Sequence, residues 1–274
     1  MTSSEIPMGE APIENEAPIE NDHQLATRLA VEAGQLLVPL RDELWRQGAH
    51  TWQVMDTGDA AGHHFLVDAL RSARPDDVVL SEEGADDRRR LAADRVWIVD
   101  PLDGTNEFGE PGRADWAVHV ALWERGELRA AAVSLPAMDL VFSTDPAPTL
   151  PPVDRPRPRL ITSRNRAPYA AVVIAEALQC DAVRLGSAGA KTMAIVLGHA
   201  DIYAHDGGMY QWDSAAPAAV AKAAGLHVSR IDGSELVYNG PDAWLPDFLV
   251  CRAELAGPVL QALWGDPNGR PTTR

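Results

Sequence analysis

The sequence predicts an α/β protein of layered helices and sheets, with an α+β half followed by an α/β half. Three observations predict it. The first ordered stretch carries an apolar period of helical spacing, short apolar runs recur at hairpin-like intervals between 116 and 144, and strand and helix patterns alternate after 159.

Residues 1–22 hold a tandem hexapeptide, EAPIEN at 10–15 and again at 16–21. This segment is acidic, proline-bearing and poor in large apolar side chains, so it reads as a disordered tail. The N-terminal half, 23–145, opens on a helix in which Leu25, Leu29, Leu36, Leu37, Leu40 and Leu44 recur at helical spacing. A second helical pattern covers roughly 60–73 and ends at Arg74-Pro75. DVVLSEE closes a short apolar run on two carboxylates, and RVWIVD (95–100) repeats the arrangement. WAVHVALW (116–123), ELRAAAVSLP (127–136) and LVFST (140–144) suggest an antiparallel sheet.

Six prolines between 146 and 158 exclude regular structure there, and this segment reads as the joint between the halves. The C-terminal half, 159–274, alternates: strand 159–162, helix 167–179, strand 182–185, helix 188–198, strand 201–204, helix 213–224. Gly225 suits a helix stop, strand-like LHVSRI follows, and a helix over roughly 253–264 comes last.

Composition narrows the function. The chain has 274 residues, room for one large domain or two coupled halves, and 46% apolar residues. No stretch reaches the roughly 20 apolar residues that span a bilayer. The N-terminus has neither a basic nor an apolar leader segment, so no secretory signal is expected. Cys180 and Cys251 are too few for a disulfide framework or a cysteine zinc site, and read as reduced thiols in a cytoplasmic protein. The formal charge is −16, of which six acids in the first 22 residues account for part. So acidic a body repels polyanions, which makes nucleic acid and anionic membrane poor partners. A small phosphate ester remains compatible if metal cations supply local positive charge.

The chemistry concentrates in Asp100-Pro101-Leu102-Asp103-Gly104-Thr105. Asp100 ends an apolar strand at a sheet rim, and Asp103 returns a second carboxylate to nearly the same point. Gly104 relaxes the backbone so that amides face an anion, and Thr105 opens a helix. Such an arrangement holds divalent metal on one side and phosphate on the other. Ser81-Glu82-Glu83 adds a carboxylate at the end of the preceding strand, and Asp213 lies at the positive end of an alanine-rich helix. Each is also what a plain N-cap or a solvated acid looks like, but three carboxylate motifs at element mouths favour a site. His63, His64, His119, His199 and His205 match no zinc spacing and read as solvated or core histidines, and most of the tryptophans read as packing residues.

VWIVDPLDGTNEF (96–108) together with QWDSAAP (211–217) resembles the two signatures of the inositol monophosphatase-like, lithium-sensitive phosphatases. The resemblance runs from about 25 to 262 and implies the inositol monophosphatase / sugar phosphatase-like fold. LSEE (80–83) and GSAGAKTMAIVLGHADIY (186–203) are most similar to the bacterial group that hydrolyses 3′-phosphoadenosine 5′-phosphate.

The resemblance implies a magnesium site of two or three ions. Glu82, Asp100 and the Leu102 carbonyl would bind one ion, and Asp100, Asp103 and Asp213 a second. Thr105 would place the nucleophilic water, with Asp59 as the acid that partners it or holds a further metal. Asp103, Gly104, Thr105 and Asp213 would border the substrate, with Ser187 and Lys191 at its second phosphate or nucleotide end. The resemblance also implies a homodimer. Thr57-Gly58-Asp59 departs from the usual Thr-x-Ala-Asp, and Ser163-Arg164-Asn165-Arg166 stands where many nucleotide-specific relatives carry Ser-x-Ser-His. Arg166 still offers a planar fork for phosphate. Two substrate readings remain open: 3′-phosphoadenosine 5′-phosphate, or an inositol, fructose or other sugar phosphate. A catalytically silent binding module is disfavoured, because Glu82, Asp100, Asp103, Thr105 and Asp213 are all chemically competent.

Overall fold

A computed structural model describes residues 20–165 and 167–265. The expectations for residues 1–19 and for Arg166 lie outside the described residues.

Helix α1 (Asp22–Arg46) opens on a reciprocal cap. The Asn21 side chain accepts the Gln24 amide at 2.9 Å, and Gln24 Oε1 accepts the Asn21 amide at 3.0 Å. The helix starts one residue before the expected boundary at 23, and Asp22 is tied into the body by Arg74 at 2.9 Å and Arg95 at 3.1 Å. Helix α2 (Thr51–Ala73) starts nine residues earlier than its apolar pattern suggests. Its first turns bury only Val54 and Gly58, too sparse a stripe to show a helical period.

Strands β1 (Val78–Ser81), β2 (Arg95–Asp103), β3 (Ala117–Glu124), β4 (Glu127–Leu135) and β5 (Leu140–Ser143) form one sheet in sequence order, with the short helix α3 (Thr105–Phe108) after β2. The β1–β2 pair is parallel and the others antiparallel, as hairpin spacing requires. Residues 146–158 carry no helix or strand.

The second half adds β6 (Arg159–Ser163), α4 (Tyr169–Leu178), β7 (Asp181–Leu185), α5 (Ala188–Val196), β8 (Ile202–His205), β9 (Met209–Tyr210), α6 (Gln211–Ala223), β10 (His227–Ser229), β11 (Trp244–Leu245), β12 (Phe248–Cys251) and α7 (Ala256–Trp264). Its larger sheet runs β10-β12-β8-β6-β7 and is mixed: β6 is parallel to β7 and β8, while β12 is antiparallel to both its neighbours. Sequence patterning did not anticipate β12. Its four residues are buried on both faces, so they show no alternation.

Side-chain period two explains the layers. On β2, Trp97 and Val99 face α1 and α2, whereas Val96 and Ile98 face the opposite way into a core shared with α5 and α6. That middle core reaches Ile161, Tyr203, Phe248 and Val250 of the second sheet, whose other face packs Leu160, Ile202, Leu249 and Cys251 on α4 and α7. The molecule is thus five layers, α/β/α/β/α, and the middle layer belongs to both halves. Among the described residues no helix is long and apolar enough to cross a membrane.

Candidate active site and metal centre

Asp100 has the same parity on β2 as Val96 and Ile98, so its carboxylate points toward the middle layer. The β2–β3 register breaks between Asp100 and Asp103, and that irregularity turns Asp103 toward the N-terminus of α5. Asp213, in the first turn of α6, arrives from the second half. One carboxylate oxygen from each of Asp100, Asp103 and Asp213 lies within 4.8 Å of the other two.

These acids are held differently. Asp103 Oδ1 accepts the Ala188 amide at 3.1 Å, while Oδ2 accepts the Gly189 amide at 2.6 Å and the Ser187 hydroxyl. Burial alone would raise its pKa, but His119, Ser187 and the Gly189 amide overturn that and hold it at about 2. Asp213 Oδ2 accepts the Tyr210 amide at 2.6 Å. Burial and the charge on Asp103 still push Asp213 up to about 6. Asp100 is fully buried and pushed well above the carboxylate range by burial, then by Glu82, Asp103 and Asp213.

Asp100 also supplies the observation that tests for a metal. Its Oδ1 accepts the Leu102 amide at 3.0 Å, but its buried Oδ2 has no hydrogen-bond partner among the described residues. A buried carboxylate oxygen left without a donor is costly. A hard divalent cation satisfies it, and the donor set, all oxygen, suits such a cation. The residues present fit a divalent metal.

Glu82 follows β1 directly, and the parallel pairing of Ser81 with Val99 sets it beside Asp100. The residue as a whole is exposed, yet its carboxyl stands in the crowded rim. Desolvation there, then Asp213, raises it to about 7.

Thr105 and Asp59 also meet. Thr105 Oγ1 lies 3.2 Å from Asp59 Oδ1 and 3.1 Å from the Leu102 carbonyl oxygen. Burial, then Glu83, raises Asp59 to about 7. Gly104 adopts a left-handed backbone with φ +90°, and a Cβ there would stand 3.0 Å from the Ser187 Cβ. Glycine alone suits both demands.

Ser187 and Lys191 are buried rather than open to solvent. Ser187 caps α5 through the Ala190 amide at 2.9 Å. Lys191 Nζ donates to the Gly186 carbonyl at 3.2 Å and lies 5.1 Å from the centre of the Tyr203 ring. Burial lowers the lysine's pKa, against Asp103, Glu107, Asp213 and Asp115, which raise it.

One residue of the site escaped sequence reasoning. His119 is fully buried, with Nδ1 3.0 Å from the Trp212 carbonyl oxygen and Nε2 3.2 Å from Asp103 Oδ2. A Cβ at Gly189 would fall 2.1 Å from Nε2, so the α5 backbone closes over the ring. The signal was the strand alternation: His119 shares parity with Ala117 and Ala121, the row that faces the middle layer.

The model of the inositol monophosphatase family matches residues 23–147 and 154–263. The chain is 47% identical over 240 residues to a 3′-phosphoadenosine 5′-phosphate phosphatase of Mycobacterium bovis, covering 85% of this chain and 89% of the relative. It is 32% identical over 207 residues to the 3′(2′),5′-bisphosphate nucleotidase CysQ of Escherichia coli K12, covering 70% and 82%. Among solved structures, CysQ of Bacteroides thetaiotaomicron superposes with TM-score 0.71 at 23% identity over 86% of this chain and 98% of that one. Mycobacterium tuberculosis SuhB gives 0.66 at 26% identity over 88% and 94%.

Proposed function

The chain belongs to the inositol monophosphatase family, and from that premise we propose a magnesium-dependent phosphomonoesterase that hydrolyses 3′-phosphoadenosine 5′-phosphate to adenosine 5′-monophosphate and phosphate. The observation that carries the chemistry is the convergence of Asp100, Asp103 and Asp213, one of whose buried oxygens has no protein partner among the described residues. The near half-identity to the mycobacterial relative, over most of both chains, supports the substrate.

Glu82, Asp100, the Leu102 carbonyl, Asp103 and Asp213 would hold the ions. When bound, these supply positive charge against the phosphoryl and leaving oxygens and favour ionisation of water. Thr105 orients the attacking water, and Asp59, raised to about 7, is poised to take its proton near neutral pH. Water attacks phosphorus opposite the ester oxygen, the P–O bond breaks, and its electron pair leaves with the alcohol oxygen, which is protonated from solvent. The short turn at Gly104–Thr105 borders the phosphate. Asp103 is fixed by Ser187 and the α5 amides before any ligand arrives, so little reorganisation is required.

The nucleotide end falls to the Ser187–Lys191 region, where the buried ammonium contributes its charge to the local potential, and to Arg166. The two cysteines are unpaired, which supports a reducing cytoplasmic setting, where this hydrolysis would serve sulfate assimilation. Family resemblance supports a homodimer.

A panel of 3′-phosphoadenosine 5′-phosphate, inositol 1-phosphate and fructose 1,6-bisphosphate at matched concentrations, with magnesium and with excess chelator, tests the proposal. Preference for the nucleotide and silence in chelator are expected. Equal rates in chelator would overturn the metal assignment, and preference for inositol phosphate the substrate.

A further inference from the structure

Two carboxylates of the acid cluster come from different halves of the chain: Glu82 from the turn after β1, and Asp213 from the first turn of α6. After burial, the charge on Asp213 is what most raises Glu82, so the two stand near enough to repel. That repulsion pushes the edges of the site apart, whereas a metal centre needs its ligands in place before the ion arrives.

A buried arginine spans the gap. Arg90 lies in a short 3-10 helix, Arg88–Ala92, on the segment that follows Glu82, and its side chain is fully buried. Its Nε and Nη2 donate to the two carboxylate oxygens of Asp86, at 2.6 and 3.1 Å, which ties that segment to itself. Nη1 crosses to the second half, donating to Asn239 Oδ1 at 2.9 Å and to the Gly240 carbonyl at 2.8 Å. Asn239 Nδ2 returns a bond to the Arg90 carbonyl at 2.9 Å.

The segment that Arg90 grips holds Asp213 from both sides. The Asn239 amide donates to Gln211 Oε1 at 2.6 Å, and Gln211 Nε2 donates to the Asp242 carbonyl at 2.9 Å, just before Asp213. Just after it, Ser214 Oγ accepts the Tyr238 hydroxyl at 3.2 Å. Burying a guanidinium costs solvation, and a hydrophobic side chain of similar volume is often no less stabilising. Stability alone therefore gives little reason for an arginine here, and the phosphate chemistry does not touch it.

We propose that Arg90, acting through Asn239, is a positioning residue that fixes the spacing of Glu82 and Asp213 and so sets the affinity of the site for magnesium. The proposal rests on the metal-site reading above and is independent of which phosphate ester is the substrate.

The test measures magnesium binding by calorimetry on metal-free protein, beside the melting temperature without metal. Arg90→Met keeps volume and removes the charge, while Arg90→Lys keeps the charge but not the planar fork. Asn239→Gly removes the side chain and suits the left-handed backbone there, φ +57°. Ile174→Ala, in the outer core on α4, is a destabilised control remote from the strut. Arg90→Met and Asn239→Gly should each weaken magnesium about tenfold, and Arg90→Lys by less. The double variant should lose no more than Arg90→Met alone, because the pair acts as one unit. Ile174→Ala should melt earlier and bind within about twofold of wild type. Asn239→Gly, which leaves Arg90 paired with Asp86, decides the matter should Arg90→Met not fold. Wild-type affinity in Asn239→Gly refutes the strut and leaves the metal site standing. A loss in Ile174→Ala equal to that in the strut variants refutes it too, since general loosening would then suffice. If wild type itself binds no magnesium, the metal reading falls and the strut with it.

Discussion

His119 is the cross-strand partner of Asp100 on β3, yet its ring reaches past that residue to Asp103, where Nε2 stands 3.2 Å from Oδ2. Nδ1 is spent on the Trp212 carbonyl, so one buried imidazole stands between the β2 acid and the α6 backbone that carries Asp213. Burial disfavours its charged form, but Asp103 overrides this and raises its pKa.

A side chain set against the proposed metal ligand Asp103 should matter to the metal more than to the fold. His119→Ala should weaken magnesium binding, read by calorimetry on the purified protein, by roughly 10–100-fold. Unchanged affinity with a lowered melting temperature would make His119 a packing residue.

Asp100→Asn separates function from stability. The carboxylate is buried, repelled by three neighbours and unpartnered at Oδ2, so removing its charge relieves the metal-free fold. The melting temperature without metal should hold or rise, by about 2–4 °C for each kcal/mol relieved. Turnover should fall by roughly three orders of magnitude or more if the proposed metal ligand is lost. Near-wild-type activity, measured as phosphate release, would sink the assignment.

The pH dependence has a definite sign. Glu82 is raised to about 7 and Asp213 to about 6, each by burial and then by a neighbouring carboxylate. Raised carboxyl pKa values mean that the metal-free fold binds more protons than the unfolded chain between about pH 4 and 7, so its stability falls as pH rises across that window. Metal needs the same groups ionised. Magnesium affinity should therefore weaken on the order of tenfold or more from about pH 8 to 5.5, with protons released on binding. A flat affinity profile would count against these ligands.

How much of this was legible beforehand depended on whether a residue's signal was local. The motif Asp100 to Thr105 announced itself because strand end, turn and helix start are adjacent in the chain, and Asp213 stood out as an acid in a helix's first turn. His119 did not, because its meaning comes from a register, Asp100 opposite His119, that no single segment contains. Strand β12 was hidden by burial on both faces, and the first turns of α2 by their sparse apolar stripe. Sequence could number the lysine at 191, but not show that its ammonium is turned to the Gly186 carbonyl.

Lys191 yields a prediction in which two effects have opposite signs. Its residue is only 6% exposed, so the ammonium acts on ligands through its field rather than by an open contact. At a separation of about 7 Å and an effective dielectric near 20, two unit charges interact by roughly 2 kcal/mol, less after screening. A cation so placed favours a phosphate ester and disfavours a metal ion. Lys191→Met, which keeps volume and removes charge, should therefore raise KM for 3′-phosphoadenosine 5′-phosphate severalfold, up to about tenfold, while tightening magnesium binding by a similar factor. The Gly186 carbonyl loses its donor, at a cost of about 1 kcal/mol that a melting curve would reveal. General loosening of the site would weaken both ligands together. Calorimetry with magnesium and steady-state kinetics on the same preparation distinguish the two: parallel losses would make Lys191 a structural residue, and opposed shifts an electrostatic one.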